Sequence, residues 1–423
     1  MRKLIMVAAC AAALSTPALQ AQQAAAAPPA AAASGPTVKP ELAKPLQAVQ
    51  AALAARNWAE AQAQLTEAEK VPDPGAYGLY VMSRFRAQAA LGLNDLPAAA
   101  AALETAMASA FMPKADAVNM QSVLTRIRIN LKQYPQAVTA LARYAEIGGT
   151  DVELLRNRAH LQLLAGDADA ADRTVRAEID ADRQAGKPPR EQAVRLLAQV
   201  GNARKNDATY VLALELLAEF YPKPEYWEEL ADRTMRSPGF SDRLLIEVLR
   251  FKRAAGVLNR SDDYLDLAQL ALTAGQPGEA DKVMTDGYAA GQLGKGNSAA
   301  DQARLRDQAA RAATVDKASF ADGERNAATA RDGDVLINLG YAMAVDGQLA
   351  RGAALVDQGL AKASLRRPDE SRLRAGTVLW MAGRKDAALQ AIAQVKAGDG
   401  SEALARLWSL YLRSPSSERK KPA

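Results

Sequence analysis

Cysteine and histidine are almost absent from this chain of 423 residues, which has one of each, Cys10 and His160. A zinc site draws its ligands mainly from these two residue types, so a single histidine cannot supply a standard set. A Ser-His-Asp triad could use His160, but the sequence has no Gly-x-Ser-x-Gly turn to hold a nucleophile. The scarcity predicts no metal, no cofactor and no catalytic centre.

Aromatic residues are also few. They make up 5 % of the chain although 49 % of it is hydrophobic, so much of the apolar content is alanine, as in the run Ala98–Ala102. Alanine is the best helix former, whereas strands favour β-branched and aromatic residues. The composition predicts an all-α protein. No stretch after residue 21 reaches about 18 apolar residues, so we expect no transmembrane segment after signal cleavage.

The N-terminus has the three parts of a secretory signal peptide. Arg2 and Lys3 precede a short apolar segment, and small residues then offer cleavage after Ala18 or Ala21. The apolar segment is shorter than the roughly 20 residues that span a bilayer. We therefore interpret residues 1–21 as a signal peptide and expect a periplasmic protein.

A lipid anchor is the less favoured alternative for the N-terminus. Val7-Ala8-Ala9-Cys10 resembles a bacterial lipobox, after which the cysteine would carry the lipid. Only three residues separate Lys3 from that box, which is short for membrane engagement. Ordinary cleavage would leave a mature chain without cysteine, and hence without a disulfide or a thiolate.

The charge is nearly balanced after export. Loss of Arg2 and Lys3 leaves 51 basic residues against 48 acidic ones. Nucleic-acid binding usually requires a concentrated basic stripe, and the sequence has none beyond the tail Arg419-Lys420-Lys421. We therefore expect no nucleic-acid partner.

Small residues recur at a regular spacing along most of the chain. Ala61, Ala99 and Ala137 are separated by 38 residues, and Gly352 and Ala388 by 36. Each opens the second helix of a predicted pair, and a turn with Gly or Asn precedes it. A helix pair that recurs about every 34 residues is typical of a tetratricopeptide repeat (TPR) solenoid. The span from Ala280 to Gly352 is 72 residues, or two such repeats.

The chain resembles the TPR family over roughly residues 45–395. The resemblance lies in the Leu339-Gly340 pair within a first helix and in the small residues that open second helices. A block that includes Tyr226-Trp227-Glu228-Glu229-Leu230 is similar to uncharacterised exported TPR proteins of Gram-negative bacteria. The resemblance implies a right-handed superhelical solenoid of antiparallel helix pairs with a concave side. The usual repeat-closing proline is mostly missing.

The repeats divide the chain into segments. Residues 22–44 are rich in Ala, Pro and Gln and are predicted to be a disordered linker. A final helix, Ser401 to Arg413, carries Trp408, which we expect in the core of a cap. The predicted organisation is a linker, an N-terminal TPR-like block, a degenerate helical connector, a C-terminal TPR-like block with the capping helix, and a disordered basic tail: 22–44, 45–180, 181–256, 257–413 and 414–423.

In the TPR family the first helix of each pair lines the concave groove. Alignment on Ala87, Thr125 and Ala159 implies a polar, positively charged lining without a carboxylate, which suits an acidic peptide or a C-terminal carboxylate. Its members are Arg84, Gln88, Arg126, Asn130, Arg156, Asn157 and His160.

Alignment on Gly340 and Gly376 implies a second peptide-binding set. Asn338 and Arg374 match positions of the carboxylate clamp found in some TPR domains, but Glu370 stands where that clamp has a lysine. The alternative for both sets is an ordinary solvated surface. The second set comprises Asn338, Tyr341, Arg374, Thr377 and Trp380.

Two motifs that resemble catalytic sites have simpler interpretations. The segment from Gly291 to Ser298 lacks the Walker spacing and is predicted to follow a helix, so we interpret it as a loop. The acidic pairs Glu228-Glu229, Asp262-Asp263 and Asp332/Asp334 could act as glycosidase carboxylates, but we expect them to cap helices. The sequence favours a non-enzymatic periplasmic scaffold that binds protein segments in an envelope assembly or transport complex. The alternative is an enzyme or glycan-binding protein of the cell wall built on a helical solenoid.

Overall fold

The computed structural model describes residues 36–419. The predicted signal peptide, Cys10 with its lipobox, most of the predicted linker and the last four residues lie outside this range. The chain divides into two compact units between Ala177 and Glu178. All regular structure within the described range is helical, and adjacent helices pack in pairs, which confirms the prediction of an all-α fold.

Unit 1 is a series of helix pairs in which each pair packs against the next. Short turns join the two helices of a pair, which therefore run antiparallel. Its helices are α1 (Pro40–Ala54), α2 (Trp58–Ala68), α3 (Gly75–Gly92), α4 (Leu96–Met107), α5 (Lys114–Asn130), α6 (Tyr134–Glu146), α7 (Val152–Arg156), α8 (Arg158–Leu164) and the first part of α9 (Ala168–Gln184).

The turn inside each pair uses one residue in the left-handed conformation. In the second pair this residue is Asn94, with φ of 57°, and the N–H of Asp95 donates to the carbonyl of Ala90 at 2.8 Å. The Asp95 carboxylate then caps α4 by accepting from the N–H of Ala98. The equivalent left-handed residues are Arg56, Lys132, Gly166, Lys205, Gly275, Gly347 and Gly383.

The small residues that define the repeat lie where the helices of a pair meet. Ala61, Ala99, Ala137 and Ala171 are fully buried, each near the start of a second helix. A larger side chain there would separate the two helices. The first helix begins at Pro40, so the last five residues of the segment predicted as linker are helical.

Unit 2 also contains helix pairs, but its late helix at Ser401–Arg413 packs back against its early helices between Asp207 and Ala255. Besides the end of α9, its helices are α10 (Glu191–Ala203), α11 (Asp207–Phe220), α12 (Pro224–Met235), a 3-10 turn (Asp242–Leu244), α13 (Leu245–Ala255), α14 (Ser261–Thr273), α15 (Pro277–Ala289), α16 (Ala299–Ala328), α17 (Asp334–Val345), α18 (Leu349–Leu360), α19 (Pro368–Met381), α20 (Lys385–Ile392), α21 (Ser401–Arg413) and α22 (Ser416–Arg419).

Helix α21 is not the terminal cap that the sequence predicts. It packs against α11, α12 and α13 as well as against α19 and α20. Trp408 is 1 % exposed, as predicted for a core residue, and its ring lies 5.3 Å from that of Phe251. The hydroxyl of Tyr411 donates to the carbonyl of Ala254 at 2.8 Å. The segment predicted as a connector, 181–256, thus shares one core with the end of the chain.

Two further segments differ from the repeat pattern. The 72 residues between Ala280 and Gly352 do not hold two helix pairs, because α16 is a single helix of 30 residues. The loop that contains Lys295 follows α15, so a helix rather than a strand precedes it. The predicted disordered tail is partly ordered, since Ser417 lies in α22 and is buried. Between residues 36 and 419, no helix has the length and apolar character needed to cross a membrane.

Candidate binding surfaces

The consecutive short helices α7 and α8 of unit 1 carry exposed side chains at a spacing of four residues. Val152 and Leu164 are 54 % and 43 % exposed, and Arg156 and His160 are exposed between them. Residues four apart are neighbours on a helix surface, which applies to Val152 and Arg156 in α7 and to His160 and Leu164 in α8. Neither Arg156 nor His160 forms an ion pair with any residue of the described range. These four residues are here called the α7–α8 face. Two of them, Arg156 and His160, carry nitrogen groups without an ion pair in that range, and the other two, Val152 and Leu164, are exposed apolar side chains.

Asn157 shapes this helix rather than extending the face. Its backbone N–H donates to the carbonyl of Leu154, three residues earlier, at 3.1 Å, which leaves the carbonyl of Glu153 without its usual helical donor. The Asn157 side-chain amide donates to that carbonyl at 2.9 Å. This tightened turn separates α7 from α8, and short 3-10 turns of this kind often mark a hinge or local strain.

The other arginines predicted to line the groove are already paired. Arg84 is buried and lies 3.4 Å from the carboxylate of Asp116, and its guanidinium also donates to the hydroxyl of Tyr80. Arg126 binds Asp151 at 2.5 Å. Each pair joins the first helix of one repeat to the start of the next first helix. The prediction of a lining without carboxylates was therefore wrong.

The remaining predicted residues of unit 1 have mixed exposure. Gln88 on α3 is half-buried and Asn130 is exposed at the end of α5. Thus only Asn130, Arg156 and His160 of the seven predicted residues are fully available to a partner. Val152 and Leu164 could not be identified as surface residues from the sequence, because an apolar side chain at helical spacing is ordinarily expected to be buried.

The second predicted set is largely buried within unit 2. Thr377 and Trp380 are 6 % and 5 % exposed, and Trp380 packs against Trp408 with ring centroids 5.8 Å apart. The face of α19 that would line a groove in an open solenoid is covered by α13 and α21. We therefore correct the assignment of Thr377 and Trp380 from a groove to the core.

Asn338, Tyr341 and Arg374 belong to a buried ionic network. The Arg374 guanidinium donates to the side chain of Asn338 and to Glu247, the latter at 2.9 Å. The Tyr341 hydroxyl donates to the carboxylate of Glu279. Arg250 joins the two carboxylates, with contacts of 2.8 Å to Glu247 and 2.6 Å to Glu279. The network links α13, α15, α17 and α19.

Burial and charge act in opposite directions on this network. Burial alone would raise the pKa of Glu279, but the adjacent Arg250 and the hydrogen bonds from Arg250 and Tyr341 lower it. Burial raises the pKa of Tyr341 well above its usual value. The charges of Glu247, Glu279, Arg250 and Arg374 cancel. The arrangement stabilises the fold of unit 2 and leaves no group free for a clamp.

Members of the three acidic pairs accept hydrogen bonds from nearby side-chain and backbone groups. Glu229 accepts hydrogen bonds from Tyr210 and Arg233, and Asp263 binds Lys252 at 3.3 Å. Asp334 accepts from the backbone N–H of Arg366 at 2.7 Å. Asp262 and Asp263 lie in the first turn of α14 and Asp334 in that of α17, as expected, although the N-cap residue of neither helix forms a side-chain cap hydrogen bond. Glu228 and Glu229 lie further inside α12. The contacts of Glu229 with Tyr210 and of Asp263 with Lys252 also join separate helices. Within residues 36–419, no group of three or more His, Cys, Asp or Glu side chains is arranged to hold a metal ion.

No family model matches the chain, and no curated protein matches it. Among solved structures, a tetratricopeptide repeat protein from Parabacteroides merdae ATCC 43184 aligns over 78 % of this chain and 98 % of its own length, at 12 % identity and a TM-score of 0.26. A likeness at this level supports no conclusion about what the chain binds. The helices of this chain pack in antiparallel pairs with small buried residues at their contacts.

Proposed function

We propose that the protein is a non-enzymatic periplasmic scaffold whose α7–α8 face holds an acidic segment of a partner protein. The observation that carries this proposal is that Arg84 and Arg126 are paired with carboxylates, whereas Arg156 is exposed without one in the described range and lies beside exposed apolar side chains. Arg84 and Arg126 hold the repeats together, whereas Arg156 and His160 point into solvent without a carboxylate among residues 36–419. An arginine that binds a carboxylate forms a strong, directional hydrogen bond.

The exposed apolar residues indicate the pattern of the segment. Val152 and Leu164 lie at the two ends of the face, with Arg156 and His160 between them. A partner segment with carboxylates in its centre and apolar side chains on either side would complement all four. Arginine is among the residue types enriched at protein interfaces.

The partner can be isolated by co-purification from an envelope extract with the mature protein as bait, and its affinity measured by calorimetry. The double variant Arg156→Ala/His160→Ala should bind on the order of tenfold more weakly, which corresponds to about 1.4 kcal/mol. Binding should also weaken as salt increases, because exposed charges are screened. Arg126 is left intact, since its partner Asp151 caps α7.

The matched control is Arg143→Ala/Arg173→Ala, which removes two exposed arginines of α6 and α9. This variant should bind as the wild type does, and thermal melting should show that both variants are folded. Equal losses in both variants would mean that net charge alone governs binding. An unchanged affinity in Arg156→Ala/His160→Ala would place the binding surface elsewhere.

The periplasmic location is tested independently of binding. The mature protein should start at residue 19 or 22 and should be released with the periplasmic fraction. An intact Met1, or a lipid on Cys10 in the membrane fraction, would contradict the proposed location.

A further inference from the structure

A cleft of about 500 Å³ opens between α11, α12 and α21 of unit 2. Its floor is apolar and includes Val211, Leu230, Leu407 and Leu410. The last three are buried side chains whose outer surfaces form the floor. The volume lies within the range of sites that hold small ligands or a few side chains, roughly 300–1,000 Å³.

Two ion pairs stand at the edge of this floor. Arg406 of α21 binds Glu215 of α11, and Arg233 of α12 binds Asp207 at 2.6 Å. Glu215 is nearly buried, and the hydrogen bond from Arg406 is what balances its charge. Arg406 and Arg233 are therefore committed to their carboxylates.

Arg236 is the third arginine of the cleft lining. It lines the cleft, its side chain is exposed, and it has no carboxylate partner among residues 36–419. The cleft lining thus contains three arginines, of which Arg406 and Arg233 are paired with carboxylates of the described residues and Arg236 is not. An occupant should bring apolar groups for the floor and one negative charge for Arg236.

We propose that the cleft between α11, α12 and α21 binds a partner-protein segment in which adjacent large apolar side chains are followed by an acidic residue. The apolar side chains cover the floor and the carboxylate binds Arg236. Asp207 favours a peptide over a lipid acyl chain, because its side chain is 75 % exposed and its carboxylate can accept a backbone N–H in addition to the bond from Arg233. An acyl chain has no donor for it. This site is independent of the α7–α8 face.

The test uses the full mature protein and an array of heptapeptides with blocked ends. Each peptide carries two adjacent residues drawn from Leu, Ile, Val, Met and Phe, followed by Asp or by Asn. At least one Asp peptide should bind in fluorescence anisotropy, and its Asn counterpart should bind about tenfold more weakly. If no peptide of the array binds, the proposal is wrong.

Two variants locate the bound peptide. In Arg236→Gln the preference for Asp over Asn should disappear, which is the result expected when the two groups interact directly. Ala403→Trp places a large ring at the mouth of the cleft and should abolish binding of both peptides. The control Arg331→Gln removes an exposed arginine of the same unit and should keep the wild-type preference.

Three outcomes would overturn the proposal even if a peptide binds. The Asp preference could survive in Arg236→Gln, Ala403→Trp could bind normally, or Arg331→Gln could lose the preference equally. Decanoate serves as the lipid-like competitor. If decanoate binds through Arg236 more tightly than every peptide of the array, the cleft is a site for acyl carboxylates and the assignment to a protein segment fails.

Discussion

The guanidinium of Arg250 lies against the face of the Tyr341 ring, with its central carbon 4.3 Å from the ring centroid, in the interior of unit 2. The hydroxyl of the same tyrosine donates to Glu279, which also binds Arg250. Arg250 therefore contacts a π-face and a carboxylate that are themselves joined. A buried charge is costly unless it is paired and hydrogen-bonded, and this arrangement meets both conditions.

Neutralising Glu279 should destabilise the protein strongly. Glu279→Gln leaves the buried Arg250 with Glu247 as its one carboxylate in the network, and breaking a buried ion pair costs about 3–5 kcal/mol. Equilibrium urea unfolding should show this loss. The control is Asp301→Asn, which disrupts an exposed pair with Arg304 and should cost less than about 1 kcal/mol. Similar losses in both variants would show that the network has no special role in stability.

The stability of unit 2 should decline at alkaline pH through Tyr411. Burial raises the pKa of Tyr411 to about 12. A group whose pKa is raised on folding contributes its stability fully below the pKa of the unfolded state, near 10, and this contribution is lost as pH rises through about 12. Tyr411→Phe removes the titrating group, although it also loses the hydrogen bond to Ala254.

Urea midpoints at pH 8 and at pH 11 measure this effect. The variant should be less stable than the wild type at pH 8, by about 1 kcal/mol for one hydrogen bond. The difference in unfolding free energy between wild type and variant should shrink at pH 11. Only the wild type has a phenol at residue 411 that ionises more readily when the chain is unfolded, and this ionisation favours unfolding. A constant difference between the two pH values would contradict the assignment.

Unit 2 should not tolerate loss of its first helices. The repeat pattern of the sequence predicts that fragments 45–180 and 257–413 both fold alone, since contacts in a solenoid are local. In the structure, α21 packs on α11, α12 and α13, and Trp227 lies 5.4 Å from Tyr411. We therefore expect fragment 257–413 to lose most of its helical structure, whereas fragment 178–419 retains it.

Circular dichroism of both fragments, with 36–177 as a further control, tests this expectation. The control should be helical because its packing is between neighbouring repeats. A fully helical, cooperatively unfolding fragment 257–413 would show that the contacts of α21 with α11–α13 contribute little to stability.

The helix pairs could be predicted from the sequence because their determinants are local. Small residues such as Ala99 and turn residues such as Asn94 act within one pair, and their spacing is visible in the chain. Trp408 could be placed in the core for the same reason, since it lies on the apolar face of one helix.

The closure of unit 2 could not be predicted because it depends on distant residues. Arg374 binds Glu247, and Arg243 binds both Glu370 and Asp399. No repeat pattern relates these positions. Closure also buries part of the second predicted peptide-binding set. A side chain that would line an open groove, such as Trp380, is covered by α21.

The close approach of α17 and α18 gives the sharpest test of the repeat contact. A Cβ atom on Gly340 would lie 2.6 Å from the carbonyl oxygen of Gly352, a separation that real Cβ atoms essentially never show. Because the obstacle is backbone, the helices must move apart to accept even a methyl group. Gly340→Ala should therefore cost about 1–3 kcal/mol, as overpacking of a core does.

Gly278→Ala is the matched control, because Gly278 also lies in a helix of unit 2 but has nothing within 4 Å of the position that a Cβ atom would occupy. This change should be neutral or stabilise the protein by up to about 1 kcal/mol, since alanine loses less backbone entropy than glycine on folding. The two variants make the same chemical change, so opposite shifts of the urea midpoint would isolate the helix contact as the cause. If Gly340→Ala also stabilised the protein, helix propensity would outweigh packing there, and the small residue at this repeat position would not be needed to bring the helices together.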